Sequence, residues 1–191
     1  MCSRFELDAP LEEIAARFGI TVPPGWQPPG LRRPTDTCLL VGPEGGMLRP
    51  WGMAVDWDRK PLINARAESL TTRSTFRPLL NQPGSRILVP ATRWYEWRKE
   101  GNARHRNLIR ALGGVFAFAG LLRADGFVIV TCPPTSRLAA IHNRMPVVLT
   151  PEGAADWLDS GLSFPQVAGH LRPYEGELEA VEDRPAQPSL F

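Results

Sequence analysis

The chain has 191 residues, 43% hydrophobic and 22% charged, enough for one globular domain that buries a core without metal or disulfide support. Three cysteines (Cys2, Cys38, Cys132) without CxxC spacing exclude a disulfide scaffold, and the longest apolar run, Val115 to Leu122, is too short to span a bilayer. Net charge is only +2, yet residues 31–110 hold fifteen basic groups against seven acidic, an excess that points to an anionic partner.

The predicted elements begin with a helix over residues 9–18. Asp8 stands before Pro10, Leu11, Ile14, Ala15 and Phe18 recur at helical spacing, and Gly19 closes the pattern. Residues 20–35 form a proline-rich loop without a period, containing Trp26, Arg32 and Arg33. Strands are expected at 37–41 and 47–52 around a turn at Pro43–Gly46, then at 86–90, 93–99, 107–111, 114–122 and 126–132, with a turn at Glu100–Asn102. The segment Phe127–Cys132 is apolar at nearly every position and reads as a central strand buried on both faces. A short strand at 147–149 precedes a helix opened by Thr150-Pro151-Glu152 and ending near Gly161, and a shorter helix covers residues 165–171. Twenty prolines and seventeen glycines favour a loop-rich β fold. The expectation is a single α+β domain over residues 1–191, with a strongly curved, mostly antiparallel, barrel-like β core and peripheral helices.

Chemistry concentrates in four segments. Cys2 follows the initiator, and aminopeptidases trim methionine before a small residue, so Cys2 is expected as the mature N-terminus. An N-terminal cysteine carries a thiol and an α-amine on adjacent carbons, and this 1,2-aminothiol condenses with an aldehyde to a thiazolidine. The α-amine titrates near about 7.7–8.0 and the thiol near about 8.5, so modest depression makes both reactive. Asn64 follows Leu62-Ile63 where a strand should end; it is either an Asx turn or cap, or a site residue. Glu96 lies between Tyr95 and Trp97 on an alternating strand, so it faces either solvent or a groove that raises its pKa. His142 precedes Pro146 in a loop and serves as a structural hydrogen-bonding residue or a catalyst. Cys38, Cys132 and His170 have neither the spacing nor the context for zinc, and neither a metal nor a cofactor is expected.

Order and spacing add what each segment lacks alone. Cys2, Trp51-Gly52, Asn64-Ala65-Arg66-Ala67-Glu68, Tyr95-Glu96-Trp97 and His142-Asn143-Arg144-Met145-Pro146 occur in the order of the SOS-response-associated peptidase (SRAP) family, which the chain resembles from residue 1 to about residue 160. The resemblance implies covalent shielding of abasic sites in single-stranded DNA: the mature Cys2 attacks the ring-opened C1′ aldehyde, Asn64 positions amine and sugar, Glu96 acts as acid and base, and His142 contacts sugar or phosphate. The peptidase name then denotes self-removal of Met1, and a lyase activity is a further possibility of the same chemistry. Arg4, Arg66 and Arg144 are expected on phosphates, Trp51 and Trp97 as stacking platforms or core residues, and Thr131 near the DNA groove or as a strand-end hydroxyl. The implied partner is single-stranded DNA containing abasic sites, with a monomeric, cytoplasmic protein that joins the nucleoid when bound, and no membrane. Ser3 replaces the family's glycine, Leu31–Pro34 departs from its Asn-x-Ala-Pro, and Arg93 and Cys132-Pro133-Pro134 depart from its usual residues. Two other readings compete: an N-terminal-nucleophile amidohydrolase of the glutamine amidotransferase kind, for which the sequence has no glycine-rich oxyanion loop, and a non-covalent single-stranded DNA-binding module.

Overall fold

A computed structural model describes residues 2–26 and 30–183. In chain order the elements are β1 (Phe5–Leu7), α1 (Leu11–Phe18), β2 (Gly30–Arg32), β3 (Thr37–Gly42), β4 (Gly45–Pro50), β5 (Met53–Val55), β6 (Asp58–Leu62) and β7 (Asn64–Arg66). There follow β8 (Arg86–Ala91), β9 (Arg93–Glu100), β10 (Ala103–Ala111), β11 (Phe116–Arg123) and β12 (Gly126–Cys132). The last are α2 (Ser136–Ala139), β13 (Met145–Pro146), β14 (Val148–Leu149), α3 (Pro151–Leu158), α4 (Phe164–Val167) and β15 (Leu178–Glu182).

Two sheets carry the molecule. One has the order β15-β10-β9-β1-β2 and is antiparallel throughout; the other runs β13-β12-β11-β8-β3-β4, with β14 added on β11 and β7 added parallel to β12. The architecture is α+β with mostly antiparallel sheets, as the sequence implies, and among the described residues neither sheet closes on itself. β12 is buried at all seven positions, as its apolar run requires. The sheets meet through aromatic side chains. Phe5 of β1 packs edge-on against Phe118 of β11 at 6.0 Å and against Trp51 at 5.2 Å, and Trp94 of β9 meets Phe116 and Phe118 at 5.9 and 5.8 Å. Each such pair adds about 0.5–1.5 kcal/mol beyond the area it buries. Phe5 lies three residues after Cys2, so this cluster fixes where the start of the chain lies.

Several elements differ from expectation for identifiable reasons. α1 begins at Leu11: Pro10 holds the cap position with ψ 147°, while Asp8 pairs with Arg93 at 2.5 Å instead of capping the helix. The expected loop 20–35 contains β2, which pairs Arg32 with Phe5; three residues are too few to show a period, and residues 27–29 of that loop lie outside the described residues. The second strand of the 37–52 hairpin stops at Pro50, because Trp51 bridges instead to Phe127. Gly52 has φ +139°, and a Cβ there would fall 2.8 Å from that of Pro61. The Trp-Gly dipeptide thus joins a core side chain to a backbone that only glycine fits. The helix expected over 165–171 is split into α4 and a 3₁₀ turn at Ala168–His170, and the one after Thr150 is α3, capped by the Thr150 hydroxyl accepting from the Gly153 N–H at 3.1 Å.

Candidate active site

Four chain segments far apart in sequence meet at the mouth of the two sheets. β1 delivers Cys2, β7 delivers Asn64, β9 delivers Glu96, and the turn after α2 delivers His142. Asn64 donates from Nδ2 to the Cys2 carbonyl at 2.7 Å, which ties the chain's start to the end of the Leu62-Ile63 run. Among the described residues its Oδ1 is buried without a hydrogen-bond partner. Cys2 is 0% exposed and its thiol donates to the Arg4 carbonyl at 3.7 Å. Burial, reinforced by the negative charge of Glu96, pushes that thiol well above the usual range, so the sulfur is held as S–H.

Glu96 occupies the inward face of β9, the face shared with Trp94, and is 2% exposed. Of the two faces its sequence left open, the structure gives the enclosed one. Burial pushes its carboxyl up to about 7. The His142 Nε2 lies 4.0 Å from the Glu96 carboxylate. On the other side of the ring, Nδ1 lies 3.0 Å from the Arg144 backbone N–H, from which it can accept, and 3.2 Å from the Arg144 carbonyl, to which it can donate. Burial also holds the His142 pKa below its usual value, which favours the neutral ring. A cavity of about 560 Å³ opens here, lined by Ser3, Glu96, Trp97, Lys99, Arg104 and the segment from Ala139 to Asn143. The residue that replaces the family's glycine, Ser3, therefore sits in the cavity wall.

The residues expected on DNA divide sharply. Arg66 is exposed at the end of β7, and Arg4 lies at 5.1 Å over the ring of Trp97, a half-buried residue of the cavity wall. Trp51 does not fit a stacking role: it is fully enclosed, stacks on Phe127 and donates from Nε1 to the Ile63 carbonyl at 2.9 Å. Thr131 is equally enclosed; its hydroxyl donates to the Ala65 carbonyl at 3.4 Å and takes the strand-end role. Arg144 is not free for phosphate. Its side chain is only 10% exposed, forms a two-pronged ion pair with Glu68, and donates to the Thr131 carbonyl at 2.7 Å. It clamps the His142 loop onto β12 and the turn after β7.

Lys99, Arg104 and Trp57 are not singled out from sequence. Lys99 and Arg104 line the cavity, and Trp57 stands 68% exposed in the turn between β5 and β6. The signal for Trp57 was present: an indole between Asp56 and Asp58 in a turn cannot easily be buried. Among the described residues no cluster of three or more His, Cys, Asp or Glu side chains is placed to hold a metal, and no helix is long and apolar enough to cross a membrane.

Comparison with known proteins identifies the family. The chain is 37% identical over 123 residues to the abasic site processing protein YedK of Escherichia coli, a match that takes in 59% of this chain and 54% of that protein. It is 32% identical to the abasic site processing protein YoqW of Bacillus subtilis, covering 95% of this chain and 92% of the relative. A crystal structure of a Bacteroides thetaiotaomicron protein superposes with a TM-score of 0.83 over 96% of this chain and 92% of that one, at 24% identity, and establishes the shared fold. With the family described as SOS response associated peptidase (SRAP) matching residues 1–185, the chain belongs to the SRAP family.

Proposed function

We propose that this protein captures abasic sites in single-stranded DNA as a covalent thiazolidine on Cys2, once Met1 has been removed. The observation that carries the reading is a convergence: Asn64 holds the Cys2 carbonyl at 2.7 Å, while a buried Glu96 and the His142 Nε2, 4.0 Å apart, face each other at one cavity.

The chemistry follows from these groups. The Cys2 amine, in its neutral form, adds its lone pair to the C1′ aldehyde of the opened deoxyribose and forms a carbinolamine. Glu96, poised near pH 7, donates a proton to the departing hydroxyl, and water leaves to give the imine. The thiol then adds to the imine carbon and its proton passes to nitrogen, closing the five-membered ring. The sum is aldehyde plus aminothiol giving thiazolidine plus one water. The neutral thiol suits this order, because a free thiolate is not required before the imine exists. Asn64 Oδ1 is an acceptor for the amine or a sugar hydroxyl, and His142 Nε2, in the tautomer that carries its proton there, steadies the Glu96 carboxylate or the sugar oxygen. Arg4, Arg66 and Trp97 hold the strand, and Trp57 takes the stacking role that Trp51 cannot. The names of the relatives support abasic-site processing as the setting.

Intact mass spectrometry before and after incubation with an oligonucleotide bearing one abasic site tests the proposal. The expected spectra show loss of the initiator and then a gain equal to the oligonucleotide less one water. A mature chain that still carries Met1 and gains no DNA refutes it.

A further inference from the structure

We propose that Lys99 and Arg104 form a phosphodiester-binding pair that grips the DNA strand at the β9–β10 end of the cavity; this rests on the reading that a DNA strand enters there. The register of β9 and β10 sets Lys99 directly opposite Arg104. Directly opposed residues of an antiparallel pair have Cβ atoms about 4.5–5.5 Å apart, and like charges placed so repel. The rest of this sheet avoids such a cost. Arg93 pairs with Glu6 at 2.9 Å, Arg98 with Glu182 at 3.0 Å, Arg106 with Asp183 at 2.5 Å and Arg110 with Glu179 at 2.5 Å. Lys99 and Arg104 alone among the basic residues of β9 and β10 have no carboxylate partner among the described residues. Glu100, the nearest acid in sequence, is turned away to Arg98 at 2.5 Å and His105 at 3.6 Å.

The two unpaired cations are also the two basic residues of this sheet that line the cavity with Glu96 and His142. Lys99 shares the face of β9 that carries Trp97, which lies against Arg4. A phosphate is the group that turns this repulsion into attraction: it accepts from the guanidinium fork of Arg104 and the ammonium of Lys99 together. A DNA strand whose damaged sugar reaches Cys2 brings such a phosphate along the same wall. A pair of solvated hairpin side chains is the competing outcome.

The test measures fluorescence anisotropy of the full chain with a single-stranded oligonucleotide bearing a tetrahydrofuran abasic analogue, over a several-fold range of NaCl. The analogue has no aldehyde, so binding is read apart from covalent chemistry. Each lost phosphate contact lowers the log–log salt slope by about 0.7 on single strands, so Lys99→Gln with Arg104→Gln should lower it by about 1.4. Lys99→Glu should weaken binding likewise while its thermal midpoint stays at or above the parent's, since it gains an ion pair with Arg104. Arg110→Gln, on a residue already paired with Glu179, should leave the slope unchanged. A double variant with the parent's slope and affinity overturns the pair. A parent that binds the analogue but forms no adduct with true abasic DNA refutes the Cys2 chemistry and leaves the pair standing.

Discussion

Replacing Glu96 with glutamine should make the folded protein more stable, and increasingly so as pH rises. The carboxyl titrates at its ordinary 4.5 in the unfolded chain but at about 7 in the folded one, because burial disfavours the anion. Below the lower value both states carry the proton and this group contributes no difference. Between the two values the native state holds a proton that the unfolded chain has released, so ionisation progressively favours unfolding. At about 1.36 kcal/mol per pH unit the cost reaches about 3 kcal/mol once pH exceeds 7. Glutamine keeps the shape and never ionises. Urea unfolding of parent and Glu96→Gln from pH 4 to pH 8 should therefore give a stability difference that grows by about 3 kcal/mol in favour of the variant, then levels off. The same variant should lose most of its adduct formation, since an amide cannot donate the proton that expels water. A difference in stability that stays constant across that pH range would refute the buried-acid argument, whatever happens to activity.

The two tryptophans separated by the structure should respond in opposite ways. Trp57→Ala should leave stability within about 0.5 kcal/mol but cost about 1–3 kcal/mol in affinity for single-stranded DNA. Trp51→Leu should instead cost about 3 kcal/mol or more in urea unfolding, through a core void and an orphaned Ile63 carbonyl. Arg144→Met, which strips the Thr131 carbonyl and Glu68 of their donor, should lower stability by about 1–3 kcal/mol and slow adduct formation in a gel-shift time course. Gly52→Ala, at φ +139° against Pro61, should lower stability by at least about 2 kcal/mol by thermal unfolding.

What the sequence made legible tracks the length of each pattern. β12 was readable because seven consecutive residues repeat one message, and α1 because a period and a terminal glycine agree; Gly19 indeed takes φ +63°. β2 and β7 have three residues each and are held by pairing partners distant in the chain, so nothing local announces them. The same logic governs the site. Cys2, Asn64, Glu96 and His142 were nameable because each sits in a motif, and their order in the chain linked them. Burial was not nameable. An indole beside a glycine reads equally as platform or core until a partner such as Phe127 is known, and an arginine reads as a phosphate ligand until a carboxylate such as Glu68 claims it. Lys99 and Arg104 were missed for the converse reason, since a cation is conspicuous only once its neighbours are seen to be paired.

On the proposed chemistry, capture has to wait for removal of Met1. While Met1 is attached, the Cys2 nitrogen is an amide with no basic lone pair, and the sulfur beside it has no exposed surface and a pKa raised by burial. Neither nucleophile is then available, although Asn64, Glu96 and His142 are already in place around Cys2. Trimming the initiator supplies the amine without any rearrangement of the sheets, because Phe5 is anchored in the aromatic cluster regardless of what precedes it. A lysine inserted between Met1 and Cys2 should block trimming and leave an amide at that nitrogen. Such a protein should unfold at the parent's midpoint within a few degrees and bind the tetrahydrofuran oligonucleotide, yet give no adduct with abasic DNA in denaturing gels. An adduct of unchanged yield on that variant would assign the covalent chemistry to a group other than the α-amine of Cys2.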